Sequence, residues 1–137
     1  LWLLPISPLG GVHNQEYLVS ALRFDTERDY ADWLARLRAY PTLVDQHVAL
    51  LRRGVLEKVV SPKEVLARIP AQIEAQIVED PTKSSLYGPF VTIPSSIPAA
   101  TQVTLRAEAT QAISAAMPAR LSPTRRQEAS KYSRRPM

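Results

Sequence analysis

Cysteine is absent from this chain of 137 residues, which excludes disulfide bonds, thiol nucleophiles and cysteine-ligated zinc sites. Histidine is almost as scarce: His13 and His47 lie far apart, and neither begins the H-E-x-x-H pattern with which a helix binds zinc. The four glycines form neither a phosphate-binding loop nor a dinucleotide motif, and Ser84 and Ser85 lack the G-x-S-x-G setting of a nucleophilic serine. We therefore predict no catalytic residue and no metal ligand in this chain.

Long hydrophobic runs are also missing. The apolar opening LWLLP is far too short to cross a bilayer, so we predict no transmembrane segment. The chain begins without Met and without a recognisable signal peptide, and we interpret it as an internal piece of a longer protein.

The stretch from Phe24 to Gly54 predicts two amphipathic helices. Thr26 followed by Asp29 approximates a capping box at the start of the first helix. Pro41 disfavours helical geometry at the residue before it and suits the first position of a new helix, so we predict a turn there and an antiparallel pair. Gly54 is placed to end or loosen the second helix. The expected apolar faces are Tyr30, Trp33, Leu34 and Leu37 in the first helix, and Leu43, Val44, His47, Leu50, Leu51 and Val55 in the second.

A third helix is predicted to start at Ser61, with Ser61 as the capping residue, Pro62 at the first position and Glu64 completing a capping box. Pro70 interrupts the apolar repeat that follows, so the helix should kink or restart there, and of the two we predict a kink.

The segment from Glu79 to Pro98 contains four of the twelve prolines and predicts an ordered, irregular connection. Pro98 then opens a last long helix. No strand pair is convincing, so we predict an all-α fold of antiparallel helical hairpins. The expected buried side of the last helix is Val103, Leu105, Ala109, Ala112, Ile113 and Met117.

The net charge of +4 is concentrated at the end of the chain. Residues 118–137 hold six basic side chains and one acidic side chain, so the rest of the chain is close to neutral. A basic segment rich in serine and proline with few apolar residues is typical of disorder, and we favour that interpretation over specific nucleic-acid binding. We therefore divide the chain into a helical segment, residues 1–121, and a basic divergent tail, residues 122–137.

Four blocks carry a resemblance to a known family: WLLPISPLGGVHN, FDTERDYADWLARLRAYPTLVDQHVALLRRGV, SPKEVLARIPAQIEAQI and SSLYGPFVTIPSSIPAATQVTLRAEATQAI. In this order and spacing they resemble an internal segment of the bacterial domain-of-unknown-function family eight-eight-five (DUF885), whose full members are several times longer. The resemblance implies a zinc-metallopeptidase-like, gluzincin-related protein in which the paired histidines of an H-E-x-x-H helix bind zinc. Because that motif is absent here, zinc is expected only in the complete family protein, and this chain is expected to be inactive alone.

Two interpretations of function follow. In the first, the chain is a non-catalytic helical portion of a metallopeptidase-like protein, with the remainder of that protein as its partner and a peptide substrate only in the complete molecule. The turn formed by Gly10, Gly11 and His13 is a candidate for lining the cleft, although an ordinary tight turn is the simpler interpretation. In the second, the chain is a self-associating helical interaction module with a basic tail for an acidic partner. We predict no compartment for this chain. The resemblance implies only that full family members are exported or associated with the cell envelope.

Several residues that could suggest a ligand-binding or catalytic site are interpreted as structural residues. His47 lies at helical spacing with apolar neighbours, which predicts a half-buried core or interface position. Tyr30, Trp33 and Tyr40 are interpreted as core anchors, not as stacking platforms for nucleobases.

Overall fold

The computed structural model describes Ser7, Gly11 and residues 16–116. These residues form α-helices and short 3-10 helices and no β-strand, which confirms the all-α prediction. The predicted tail, residues 122–137, lies outside the described part of the chain. The helices are α1 (Glu16–Ala21), α2 (Glu27–Leu56), α3 (Lys63–Leu66), α4 (Ile69–Ala75), α5 (Gly88–Val91) and α6 (Ala99–Ala116), with 3-10 helices at Pro81–Lys83 and Ser85–Tyr87.

The longest element, α2, corrects the predicted hairpin. Pro41 lies inside one continuous helix of 30 residues, so the turn predicted at this proline is wrong. A proline inside a helix removes one amide donor and crowds the preceding turn, at a cost of about 3 kcal/mol. Burial of Tyr30, Trp33, Leu34 and Leu37 before the proline, and a continuing apolar face after it, favour the helix on both sides.

The start of α2 is the predicted capping box. The Thr26 hydroxyl accepts a hydrogen bond from the Asp29 amide at 3.3 Å, and the Asp29 carboxylate accepts one from the Thr26 amide at 2.8 Å. The Asp29 amide also donates to the Thr26 carbonyl at 3.1 Å. The two reciprocal bonds between Thr26 and Asp29 form the capping box and confirm the prediction.

The end of α2 lies beyond Gly54, which is buried within the helix. The Val59 amide donates to the Gly54 carbonyl at 2.8 Å and the Lys58 amide donates to the Val55 carbonyl at 3.2 Å. This is a Schellman motif, whose left-handed position usually belongs to glycine. Lys58 occupies it with φ of 59°. The prediction that Gly54 ends the helix is therefore wrong, because the left-handed residue lies four positions later.

The middle of the chain divides near Pro70. Helix α3 ends at Leu66 and α4 begins at Ile69 with Pro70 in its first turn, so a new helix starts here and the predicted kink within one helix is wrong. The predicted serine cap of the preceding helix is wrong: Pro62 is the N-cap of α3, no side chain caps it, and Ser61 lies one residue too early.

The core forms where the first half of α2 meets α6 and the connection between residues 79 and 98. That connection is ordered, as predicted, and supplies much of the apolar interior. Val103 corrects the predicted face of α6, since it is 67% exposed and lies on the opposite side of the helix from Leu105. Met117 lies outside the described residues. The core comprises Tyr30, Trp33, Leu34, Leu37, Leu86, Tyr87, Phe90, Ile93, Ile97, Leu105, Ala109, Ala112 and Ile113.

Candidate binding groove along helix α2

An open groove of about 580 Å³ runs along α2, with α1 and the 3-10 helix Ser85–Tyr87 contributing to its walls. Most of its lining is apolar, which is typical of a binding surface. The apolar residues that line it are Leu18, Trp33, Leu37, Ala39, Leu43 and Leu86, and the polar ones are Arg36, Tyr40, Thr42 and Gln46.

Two aromatic side chains fix the wall at the start of the groove. The Trp33 indole nitrogen donates to the Leu86 carbonyl at 3.2 Å, and the Tyr30 hydroxyl donates to the Pro89 carbonyl at 3.1 Å. Phe24 packs edge-on against Trp33 with ring centroids 5.9 Å apart. Because these contacts join α2 to residues far along the chain, the 3-10 helix is held beside α2 at a fixed separation.

Arg36 is the only charged side chain among the described residues that line the groove. Its guanidinium has no hydrogen bond or ion pair with any described residue. Burial raises the pKa of the Tyr40 phenol above its ordinary value of 10.0, so this group is neutral at physiological pH. The groove therefore combines an apolar lining with one positive charge.

A smaller polar pocket of about 120 Å³ adjoins the groove and shares Trp33 and Arg36 with it. Arg23, Asp29 and Asp32 also line this pocket. The Thr26 hydroxyl, followed by the backbone amides of Thr26 and Asp25, lowers the pKa of the Asp29 carboxyl, which is engaged in the capping box. Asp32 lies 4.0 Å from Arg28.

Of the predicted cleft-lining residues, only Gly11 is described. Its φ of 145° belongs to a region that residues with a side chain rarely adopt, which agrees with a turn that requires glycine. Gly10 and His13 lie outside the described residues, so the proposed role of this turn stays a prediction.

The two other residues considered as candidates have local structural contacts. His47 is half-buried, as predicted, and its Nδ1 lies 2.9 Å from the Leu43 carbonyl of the preceding turn. Ser84 is buried and its hydroxyl accepts a hydrogen bond from the Leu86 amide at 3.3 Å, which caps the 3-10 helix.

No group of three or more His, Asp or Glu side chains suited to a metal ion occurs within the described residues. Within this described part of the chain, no set of side chains fits the zinc that the family resemblance implies. In the same part of the chain, no helix has both the length and the apolar character that a bilayer crossing requires.

Comparison with known proteins identifies the family. A family model described as a bacterial protein of unknown function, DUF885, matches residues 4–132. The chain belongs to the DUF885 family. The match to DUF885 covers nearly the whole chain and ends within residues 122–137, the segment that we expect to diverge. No curated protein and no solved structure matches the chain.

The sequence does not predict the groove. Trp33 and Leu37 are core residues, as predicted, and they also line the groove. Leu43 is predicted to belong to a second helix packed on the first, which the continuous α2 excludes. One feature of the sequence points to the groove. Apolar residues continue at three- and four-residue spacings past Leu37, so the apolar face of α2 is longer than α6, the helix that packs against it.

Proposed function

We propose that this chain is a non-catalytic helical portion of a metallopeptidase-like DUF885 protein, and that it shapes or covers a peptide cleft whose zinc ligands lie elsewhere in that protein. Membership of the family supports the proposal. The observation that carries it is that the family match spans residues 4–132, nearly the whole chain.

Peptide hydrolysis tests this proposal. We expect the chain alone to hydrolyse no peptide in a mixed library followed by mass spectrometry, whereas a longer DUF885 protein containing H-E-x-x-H should do so and lose activity with a chelator. The same longer protein with the motif glutamate changed to glutamine is the matched control. Chelator-sensitive hydrolysis by the chain alone would contradict the proposal.

The turn at Gly10, Gly11 and His13 has its own test. In an active full-length homologue, alanine at the position of His13 should lower activity or raise KM if the turn lines the cleft. Unchanged kinetics would leave the ordinary-turn interpretation in place.

A second candidate is a self-associating interaction module whose basic tail binds an acidic partner. The observation that favours it is the exposed apolar end of α2, where Val55 and Leu56 are 64% and 83% exposed and Val60 beyond them is 58% exposed. Sedimentation velocity should then reveal a concentration-dependent dimer that Leu56→Asp abolishes. A monomer at all concentrations would exclude this candidate.

A further inference from the structure

We propose that the groove along α2 is a docking site for an amphipathic α-helix of a partner protein, with its apolar face on α2 and a carboxylate beside Arg36. This inference goes beyond the proposed function, because it concerns a partner helix and not a peptide substrate. It also requires no zinc and no hydrolysis.

The length of the groove indicates a polypeptide segment. Its lining on α2 extends from Trp33 to Gln46, which corresponds to about 20 Å at the helical rise of 1.5 Å per residue. Leu37, Tyr40 and Leu43 lie between these ends at spacings that keep them on one side of α2. Three to four turns of a second helix would fit along this length.

The walls of the groove favour a helix over an extended peptide. They are formed by α1, α2 and the 3-10 helix Ser85–Tyr87, and helices engage their backbone groups internally instead of offering a sheet edge. An extended peptide lying on this apolar lining would have buried amides and carbonyls without partners, which is costly. A helix satisfies its own backbone and presents only side chains.

The charge of the groove specifies the partner further. Arg36 provides a guanidinium with no partner among the described residues, at the end of the groove that adjoins the small polar pocket. Nearby Asp29 is engaged by the capping box and Asp32 lies beside Arg28, so neither is paired with Arg36. A carboxylate on the incoming helix would complement this charge, and charge-assisted bonds to Arg are well suited to carboxylates.

Titration with a labelled helical probe tests the proposal. The probe is a stapled peptide of about 15 residues with leucines at i, i+4 and i+7. One version carries Glu at the N-terminal end of the leucine stripe and another carries it at the C-terminal end. Each version has a control peptide with Gln in place of Glu. Fluorescence anisotropy measures its affinity for the full chain. Nuclear magnetic resonance locates the site through the Trp33 indole signal, which we expect to shift.

Matched variants separate the groove from the rest of the surface. Leu43→Asp should weaken binding of one Glu probe at least about tenfold, whereas Val103→Asp, which places the same charge on an exposed part of α6, should not. Arg36→Gln should weaken binding about threefold and reduce its salt dependence, whereas Arg52→Gln, outside the groove, should do neither. Circular dichroism of each variant confirms that it is folded.

Two results would overturn the proposal. One is the absence of saturable binding by every probe to the folded wild-type chain. The other is a wild-type dimer that Leu43→Asp dissociates while Val103→Asp does not, because the occupant of the groove would then be a second copy of this chain.

Discussion

Single side chains on α2 make contacts between parts of the chain that are far apart in sequence. Tyr30 is fully buried, and its hydroxyl reaches the carbonyl of Pro89, 59 residues further on. The Trp33 indole nitrogen donates to the carbonyl of Leu86, 53 residues away. Each ring adds apolar area to the core, and its polar tip satisfies a carbonyl of the irregular connection. These residues therefore determine how the connection is seated against α2.

Tyr30→Phe should destabilise the chain by about 1 kcal/mol, because the ring is kept while the hydrogen bond to Pro89 is lost. Urea denaturation measures the free energy of unfolding. Tyr17→Phe is the matched control, since Tyr17 is 74% exposed. Equal stability of the two variants would contradict the structural role assigned to the Tyr30 hydroxyl.

Some features of helix α2 could be predicted from residues close together in the sequence, and others could not. The capping box at Thr26 and the buried face through Leu37 could be predicted because both depend on residues within a few positions of one another. The continuity of α2 through Pro41 could not, because it depends on packing that overrides a local preference. The groove depends on the same packing: it exists only because α2 extends past α6 and the 3-10 helix lies beside it.

The left-handed residue at the end of α2 gives a second prediction. Lys58→Gly should stabilise the chain by about 1 kcal/mol, because glycine adopts the backbone conformation of Lys58 without the steric cost of a Cβ atom. Thermal and urea unfolding measure the change. Lys58→Ala removes the same charge but keeps the Cβ atom, so it should give no such gain. Equal stabilisation by both variants would indicate that charge, not conformation, is responsible.

The capping box makes the stability of α2 dependent on pH. Hydrogen bonds from the Thr26 hydroxyl, and then from the Thr26 and Asp25 amides, lower the pKa of Asp29 below its ordinary value of 3.8. Since the folded-state pKa lies below the unfolded-state value, the stabilisation is complete above pH 3.8 and is lost as the pH falls through the folded-state pKa.

Comparison of variants isolates this contribution. Asp29→Asn should lose less stability than the wild type between about pH 6 and about pH 2, measured by urea denaturation at each pH. Glu27→Gln, an exposed change in the same turn of α2 that leaves the capping box intact, should follow the wild-type pH profile more closely. Identical profiles for Asp29→Asn and the wild type would contradict the prediction.

At the scale of the whole molecule, the described chain has a well-packed core and a long extension. The first half of α2, α6 and the connection between them form the core. Helix α2 is about 45 Å long and α6 about 27 Å, so α2 extends well past its neighbour. Between Leu37 and Gly54, no residue of α2 is buried. The extension therefore carries only half-buried and exposed side chains.

Hydrogen exchange should reveal this division. Amides in residues 42–53 of α2 should exchange faster than those in residues 31–37 and in the middle of α6, because opening the extension exposes few buried contacts. Exchange followed by nuclear magnetic resonance or by mass spectrometry measures the protection of each region. Equal protection along the whole of α2 would show that the extension is covered in the free chain.

The proposed function rests on the claim that this helical chain is the non-catalytic part of a longer metallopeptidase-like protein. The most direct test combines the intact mass of the natural product in its source cells with the DNA sequence beyond the Met137 codon. We predict that the natural product is larger than 15.3 kDa and that the coding sequence continues into an H-E-x-x-H helix. A natural product that ends at Met137 would contradict the claim and favour the interaction module.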